Sequence, residues 1–149
     1  MTGDDSPWTS SYELDGETES LLRYLERRPL TDDEVRRHFV NEIDVLLDPD
    51  TREELERRMV GGAAGLLGLD VGSFSKAVGW WERTKRDAQE TIDWSQLPQD
   101  LREASERRAR SVLDYAGGRG WIERDESGPG WRITETGRAF LASGGFNMR

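Results

Sequence analysis

Arginines carry most of the chemistry this chain's residue types can do. Arg102, Arg107, Arg108, Arg110 and Arg119 fall in one stretch, and Arg124 and Arg132 follow shortly after. A guanidinium offers several N–H donors in a fixed fork that matches phosphate oxygens and the acceptor edge of a base. These residues are therefore the candidate contacts to double-stranded DNA. Carboxylates stand among them: Glu103–Arg107, Glu106–Arg110 and Arg110–Asp114 are spaced i,i+4, so on a helix the charges are expected to neutralise each other on a solvated face. Asp125 and Glu126 lie beside Arg124. Two carboxylates facing a phosphate would cost on the order of 1 kcal/mol each at surface dielectric. The same residues thus suit a protein partner as well as a nucleic acid.

Other chemistries find little support. The chain has no cysteine, which excludes disulfides, thiolate metal sites and cysteine nucleophiles. His38 is the sole histidine and has no companion for a metal; it is expected half-buried on a helix. Asp48 and Asp50 lack the remaining ligands of a calcium loop. The glycine-rich run at 61–68 lacks the Lys-Ser/Thr pair of a phosphate loop. No nucleophile–base pair stands out among the acids. The expectation is a protein that is not an enzyme and has no cofactor, metal or small-molecule ligand. Of the tryptophans, Trp121 and Trp131 are expected in the core. Trp80 and Trp81 are adjacent on a helix, so one must face away from that helix's core, and they are the candidate interface residues. A core or dimer contact is favoured for them over a base-stacking platform.

The elements that must position these groups are bounded by composition. A length of 149 residues suits one domain, and 34% hydrophobic residues demand strict segregation onto inward faces. The net charge of −9 is uneven: residues 1–60 hold 17 acids against 8 bases, and residues 61–149 hold 13 of each. A nucleic-acid surface is therefore expected in the C-terminal part. No apolar run approaches the roughly 18 residues of a membrane span. The acidic start, Met1 to Ser6, has no basic or apolar signal region, so a soluble, cytoplasmic protein is expected.

Residues 1–15 read as a disordered acidic tail. A first helix is expected from about Gly16, with Leu21, Leu22, Tyr24 and Leu25 on its apolar stripe and Pro29 beyond its end. Thr31-Asp32-Asp33-Glu34 is a capping box opening a helix with Val35, Phe39, Ile43, Leu46 and Leu47 on one face, stopped by Asp48-Pro49-Asp50. A second box, Thr51 to Glu54, opens a helix through Leu55 and Met59 into the glycines, where Gly61 and Gly65 permit either close helix contact or a bend. Ser73 is expected to cap a helix bearing Phe74, Ala77, Val78, Trp80 and Trp81 and ending near Ile92, with 93–98 as a loop. The next helix, about 99–116, places Leu101, Ser105, Ala109, Val112, Leu113 and Ala116 inward, and Gly117-Gly118 are expected to end it in the left-handed conformation. Trp121–Arg124 and Gly130–Ile133 then form a hairpin over the turn residues 125–129. The period of two puts Trp131 and Ile133 on its inner face and Arg132 on the other. Thr134 caps a short last helix with Ala139, Phe140 and Leu141, and residues 143–149 fray.

The run from Ala109 to Arg124 resembles a recognition helix entering a wing, and Trp131 to Leu141 resembles a second wing strand with the helix after it. Ile133-Thr134-x-x-Gly137-Arg138-x-x-Leu141 is similar to a pattern of MarR-like and PadR-like regulators and of the N-terminal domain of Mrr-type restriction proteins. In that pattern Ile133 plugs the core, Thr134 caps the helix, Gly137 allows close backbone approach, and Phe140 and Leu141 close the core. Residues 17–40 are similar to the family's first two helices. Val78-Gly79-Trp80-Trp81 resembles a Val-Gly-Trp segment of the Mrr-type domain, and nothing else between 48 and 98 resembles the family. The resemblance implies a mainly α winged helix-turn-helix domain over 16–142, with a small β-hairpin. An inserted helical segment, about 48–98, separates its second and third helices. It also implies a small DNA-binding, transcriptional-regulator-like protein acting as a homodimer. The alternative is a non-catalytic winged-helix adaptor that holds a protein partner in a larger DNA-processing or defence complex.

Overall fold

Leu21, Leu22 and Leu25 sit on one stripe at helical spacing, and their near-complete burial anchors the first helix, α1 (Ser11–Arg27). The computed structural model describes residues 7–67, 71–126, 128 and 130–148. Among these the chain is mainly helical, with one two-stranded antiparallel sheet. None of the described helices is long and apolar enough to cross a membrane.

The tail expected through residue 15 is corrected from residue 7 onward; residues 1–6 lie outside the described part. Ser10 caps α1 by accepting the Glu13 amide at 3.2 Å, while the Glu13 carboxylate accepts the Thr9 amide at 2.9 Å. The Trp8 indole donates to Ser111 Oγ at 2.8 Å and its ring meets Phe39 edge-on. A reciprocal cap and a docked aromatic hold this segment, and its acidic composition obscures both.

The Thr31 capping box opens α2 (Asp32–His38), with both reciprocal hydrogen bonds in place. Arg28 adds an ion pair to Glu34 at 2.7 Å. The Arg28 guanidinium and the Thr31 amide hold the Glu34 carboxyl down to about 2. The single helix expected as far as Leu47 does not form. Phe39 and Val40 are both fully buried. The Phe39 amide donates to the Arg36 carbonyl at 3.1 Å, a tight closing turn after which the chain leaves the helix. Phe39 becomes the C-cap of α2, and the Val40 carbonyl accepts from the buried Gln89 side chain at 3.0 Å. A separate turn, α3 (Ile43–Leu46), follows, and Ile43 is exposed rather than inward.

Asp48-Pro49, expected to stop a helix, instead starts one. Asp48 Oδ1 accepts the Thr51 amide at 2.7 Å, with Pro49 in the first turn of α4 (Pro49–Leu67). That amide holds the Asp48 carboxyl below its usual range. Thr51 lies inside the helix, and the backbone stays helical through the glycines to residue 67; Gly68 lies outside the described residues. Next come α5 (Val71–Thr91), which begins before Ser73, and a 3₁₀ turn at Trp94–Gln96.

The chain divides into two compact units: residues 1–39 with 99–149, and residues 40–98. In the first unit, α1 and α2 pack with α6 (Gln99–Gly118), β1 (Ile122–Arg124), β2 (Trp131–Ile133) and α7 (Glu135–Ala142) around Leu21, Phe39, Val112, Trp121 and Ile133. The hairpin register pairs Ile122 with Ile133, Glu123 with Arg132 and Arg124 with Trp131. Its turn residues 127 and 129 lie outside the described part. Leu30 makes an isolated antiparallel bridge to β2: its amide donates to the Trp131 carbonyl at 3.0 Å and its carbonyl accepts the Trp131 amide at 2.8 Å.

Two glycines set the hairpin's geometry. The left-handed residue after α6 is Gly120 (φ 76°), whereas Gly117 and Gly118, expected to play that part, remain helical. A Cβ on Gly137 would collide with the Trp121 carbonyl and lie 2.7 Å from Ile133 Cγ1, so the close approach expected there is observed. Thr134 caps α7 by accepting the Gly137 amide at 3.0 Å. The C-terminal fraying expected from 143 is corrected up to Phe146, whose amide donates to Glu19 at 3.0 Å. Its ring joins Tyr115, Trp121 and Phe140. Residue 149 lies outside the described part.

Candidate functional site

α6 has a buried face and an opposite exposed one. Ser105, Ala109, Val112 and Ala116 point into the core, while Glu103, Arg107, Arg110 and Asp114 form an exposed strip. The expected i,i+4 neutralisation on that strip does not form. Glu103 accepts from the Gln99 amide side chain at 3.1 Å, and Glu106 leans 3.9 Å toward Arg36 of α2. Among the described residues, no carboxylate pairs with Arg107 or Arg110. An exposed i,i+4 ion pair is worth only about 0.2–0.5 kcal/mol, so any better local partner displaces it.

The other arginines divide differently. Arg108 is half-buried and donates to the Phe39 carbonyl at 2.9 Å, joining α6 to the end of α2. Arg102 is half-buried and already partnered. Arg108 is thus held by the fold rather than presented outward. Arg119 is exposed, with its guanidinium 5.2 Å from the Tyr115 ring centroid and 5.6 Å from that of Trp121.

Both hairpin arginines are engaged by carboxylates. Arg132 pairs with Glu123, its cross-strand neighbour, at 2.5 Å, and approaches Glu126 at 3.9 Å. Arg124 donates to Asp32 Oδ1 at 2.9 Å, and the same oxygen accepts the Trp131 indole N–H at 3.1 Å. The Arg124 guanidinium stacks 4.2 Å above the Trp131 ring. Trp131 is accordingly half-buried rather than fully inward. Sequence reasoning did not single out Asp32. Its only signal was a place inside a capping box, which says nothing of a partner on a distant hairpin.

The candidate interface tryptophans belong to the second unit. Trp80 and Trp81 are both half-buried on α5, so neither is the exposed ring expected, and Arg58 lies 4.7 Å over the Trp80 ring. α5 packs chiefly against α4, and both rings remain partly open. His38 is half-buried between the Tyr24 and Phe39 rings. Among the described residues no cluster of acids and histidine is placed to hold a metal ion. No protein-family model, curated protein or solved structure matches the chain.

Proposed function

We propose that the first unit is a winged-helix domain that binds double-stranded DNA through α6, in a regulator-like protein with no catalytic role. The order α1, Leu30, α2, α6, β1, β2, with Leu30 paired to β2, supports the winged-helix reading. In such an architecture the third helix enters the major groove and the hairpin lies beside it. The observation that carries the reading is the pair Arg107 and Arg110, exposed opposite the core with no carboxylate engaging either among the described residues. Binding to random duplex should fall with salt along a straight log–log line, at roughly 0.9 per phosphate contact. Absence of binding at low salt would remove this reading.

A homodimer is proposed through the second unit, where Trp80 and Trp81 are half open. Trp81→Ala should then shift sedimentation toward a monomer; an unchanged mass over a wide concentration range would oppose it. The adaptor reading is favoured by one specific observation. Arg124 and Arg132 are both occupied by carboxylates, which leaves the hairpin without a basic edge.

A further inference from the structure

We infer that Asp32 is a positioning residue for the hairpin, and that it withholds Arg124 from phosphate. The inference rests on the DNA-binding reading above. One carboxylate oxygen at the start of α2 takes both the Arg124 guanidinium and the Trp131 indole N–H, which lie across from each other in the β1–β2 register. The guanidinium is stacked on that indole, so one anion fixes the ring and the cation together. The backbone pair between Leu30 and Trp131 sits beside Asp32 in the chain and sets the distance at which this latch closes. It is an open contact, with Arg124 60% and Asp32 51% exposed at the side chain. Water and ions reach such a pair, which keeps it weak enough to exchange. The latch makes a distinction that residue type alone does not: Arg107 and Arg110 offer charge to DNA, while Arg124 spends its charge on aiming the hairpin.

The test is a cycle of Asp32→Asn, Arg124→Gln and the double variant, in the full chain, titrated with salt against random duplex DNA. Asn keeps an oxygen for the indole but loses the charge that holds Arg124. Asp32→Asn should steepen the log–log slope by about one, the contribution of one phosphate contact, which is about three- to fourfold in affinity across a fourfold change of salt. Arg124→Gln alone should leave the slope unchanged, and the double variant should return it to that of the unaltered protein. A slope reduced equally by Arg124→Gln in both backgrounds would mean that Arg124 already meets phosphate, and would overturn the inference. A second readout needs no DNA: Asp32→Ala should move the Trp131 indole N–H resonance and speed its hydrogen exchange, and an unmoved resonance overturns the latch. Absence of DNA binding in every variant would overturn the winged-helix function and the withholding role with it. The indole resonance would still decide whether Asp32 positions the hairpin.

Discussion

The exposed strip of α6 and the β1–β2 hairpin carry the same residue types and present opposite electrostatics. On α6, Arg107 and Arg110 sit within reach, in sequence, of Glu103, Glu106 and Asp114, yet no carboxylate engages them among the described residues. On the hairpin, Arg124 and Arg132 are each held by a carboxylate that the chain brings from across a strand or from another helix. Glu123 and Arg132 are directly opposite in the β1–β2 register, where cross-strand Cβ atoms lie about 5 Å apart, so the fold itself delivers that carboxylate. Local sequence spacing therefore misjudges both surfaces. Available charge depends on which carboxylates the fold delivers.

The largest expected effect removes the hairpin's footing. Ile133 is 6% exposed and packs beneath Gly137. Ile133→Ala should cost roughly 2–4 kcal/mol in urea denaturation, as a core truncation. A loss well below that would mean the hairpin is not seated on the core, and the contrast with α6 would lose its structural basis.

A smaller effect follows from the hairpin's ion pairs. Arg124→Gln with Arg132→Gln should lower stability by about 1 kcal/mol or less per pair, the range for half-exposed partners. Arg107→Gln with Arg110→Gln should leave stability within about 0.5 kcal/mol, since neither side chain holds a carboxylate. Equal losses in the two double variants would erase the distinction.

A further effect is on pH. Glu34 is depressed from 4.5 to about 2 by the Arg28 pair and the Thr31 amide. A carboxyl depressed on folding stabilises above its unfolded value and loses that contribution as pH falls through its folded value. The thermal midpoint should therefore drop between about pH 4.5 and pH 2, and Glu34→Gln should remove part of that drop. An identical acid profile in the variant would contradict the pair.

Much of the first unit was legible because its signals are local. The Thr31 and Thr134 caps, the inward stripe of α6 and the hairpin each follow from short-range spacing or turn chemistry. The errors came where a tertiary partner decided the outcome. The Val40 carbonyl accepts from Gln89 just where the expected long helix ends, and docking of Trp8 and Phe146 ordered segments whose composition reads as loose. Asp48-Pro49 was misread because the same pair can end one helix or begin the next; only the Thr51 amide distinguishes the two. Within the candidate site, the outward placement of Arg107 and Arg110 was readable from the helical period. The pairing of Arg124 was not, because Asp32 lies far away in the chain.

The most direct measurement of the central claim compares two salt slopes on random duplex DNA. Arg107→Gln with Arg110→Gln should flatten the log–log slope by about two, one for each phosphate that a guanidinium no longer neutralises. Arg124→Gln with Arg132→Gln should leave it unchanged, because those charges are already spent within the protein. Equal flattening in both variants, or a larger change from the hairpin pair, would contradict the claim that α6 and not the hairpin supplies the charge that meets DNA.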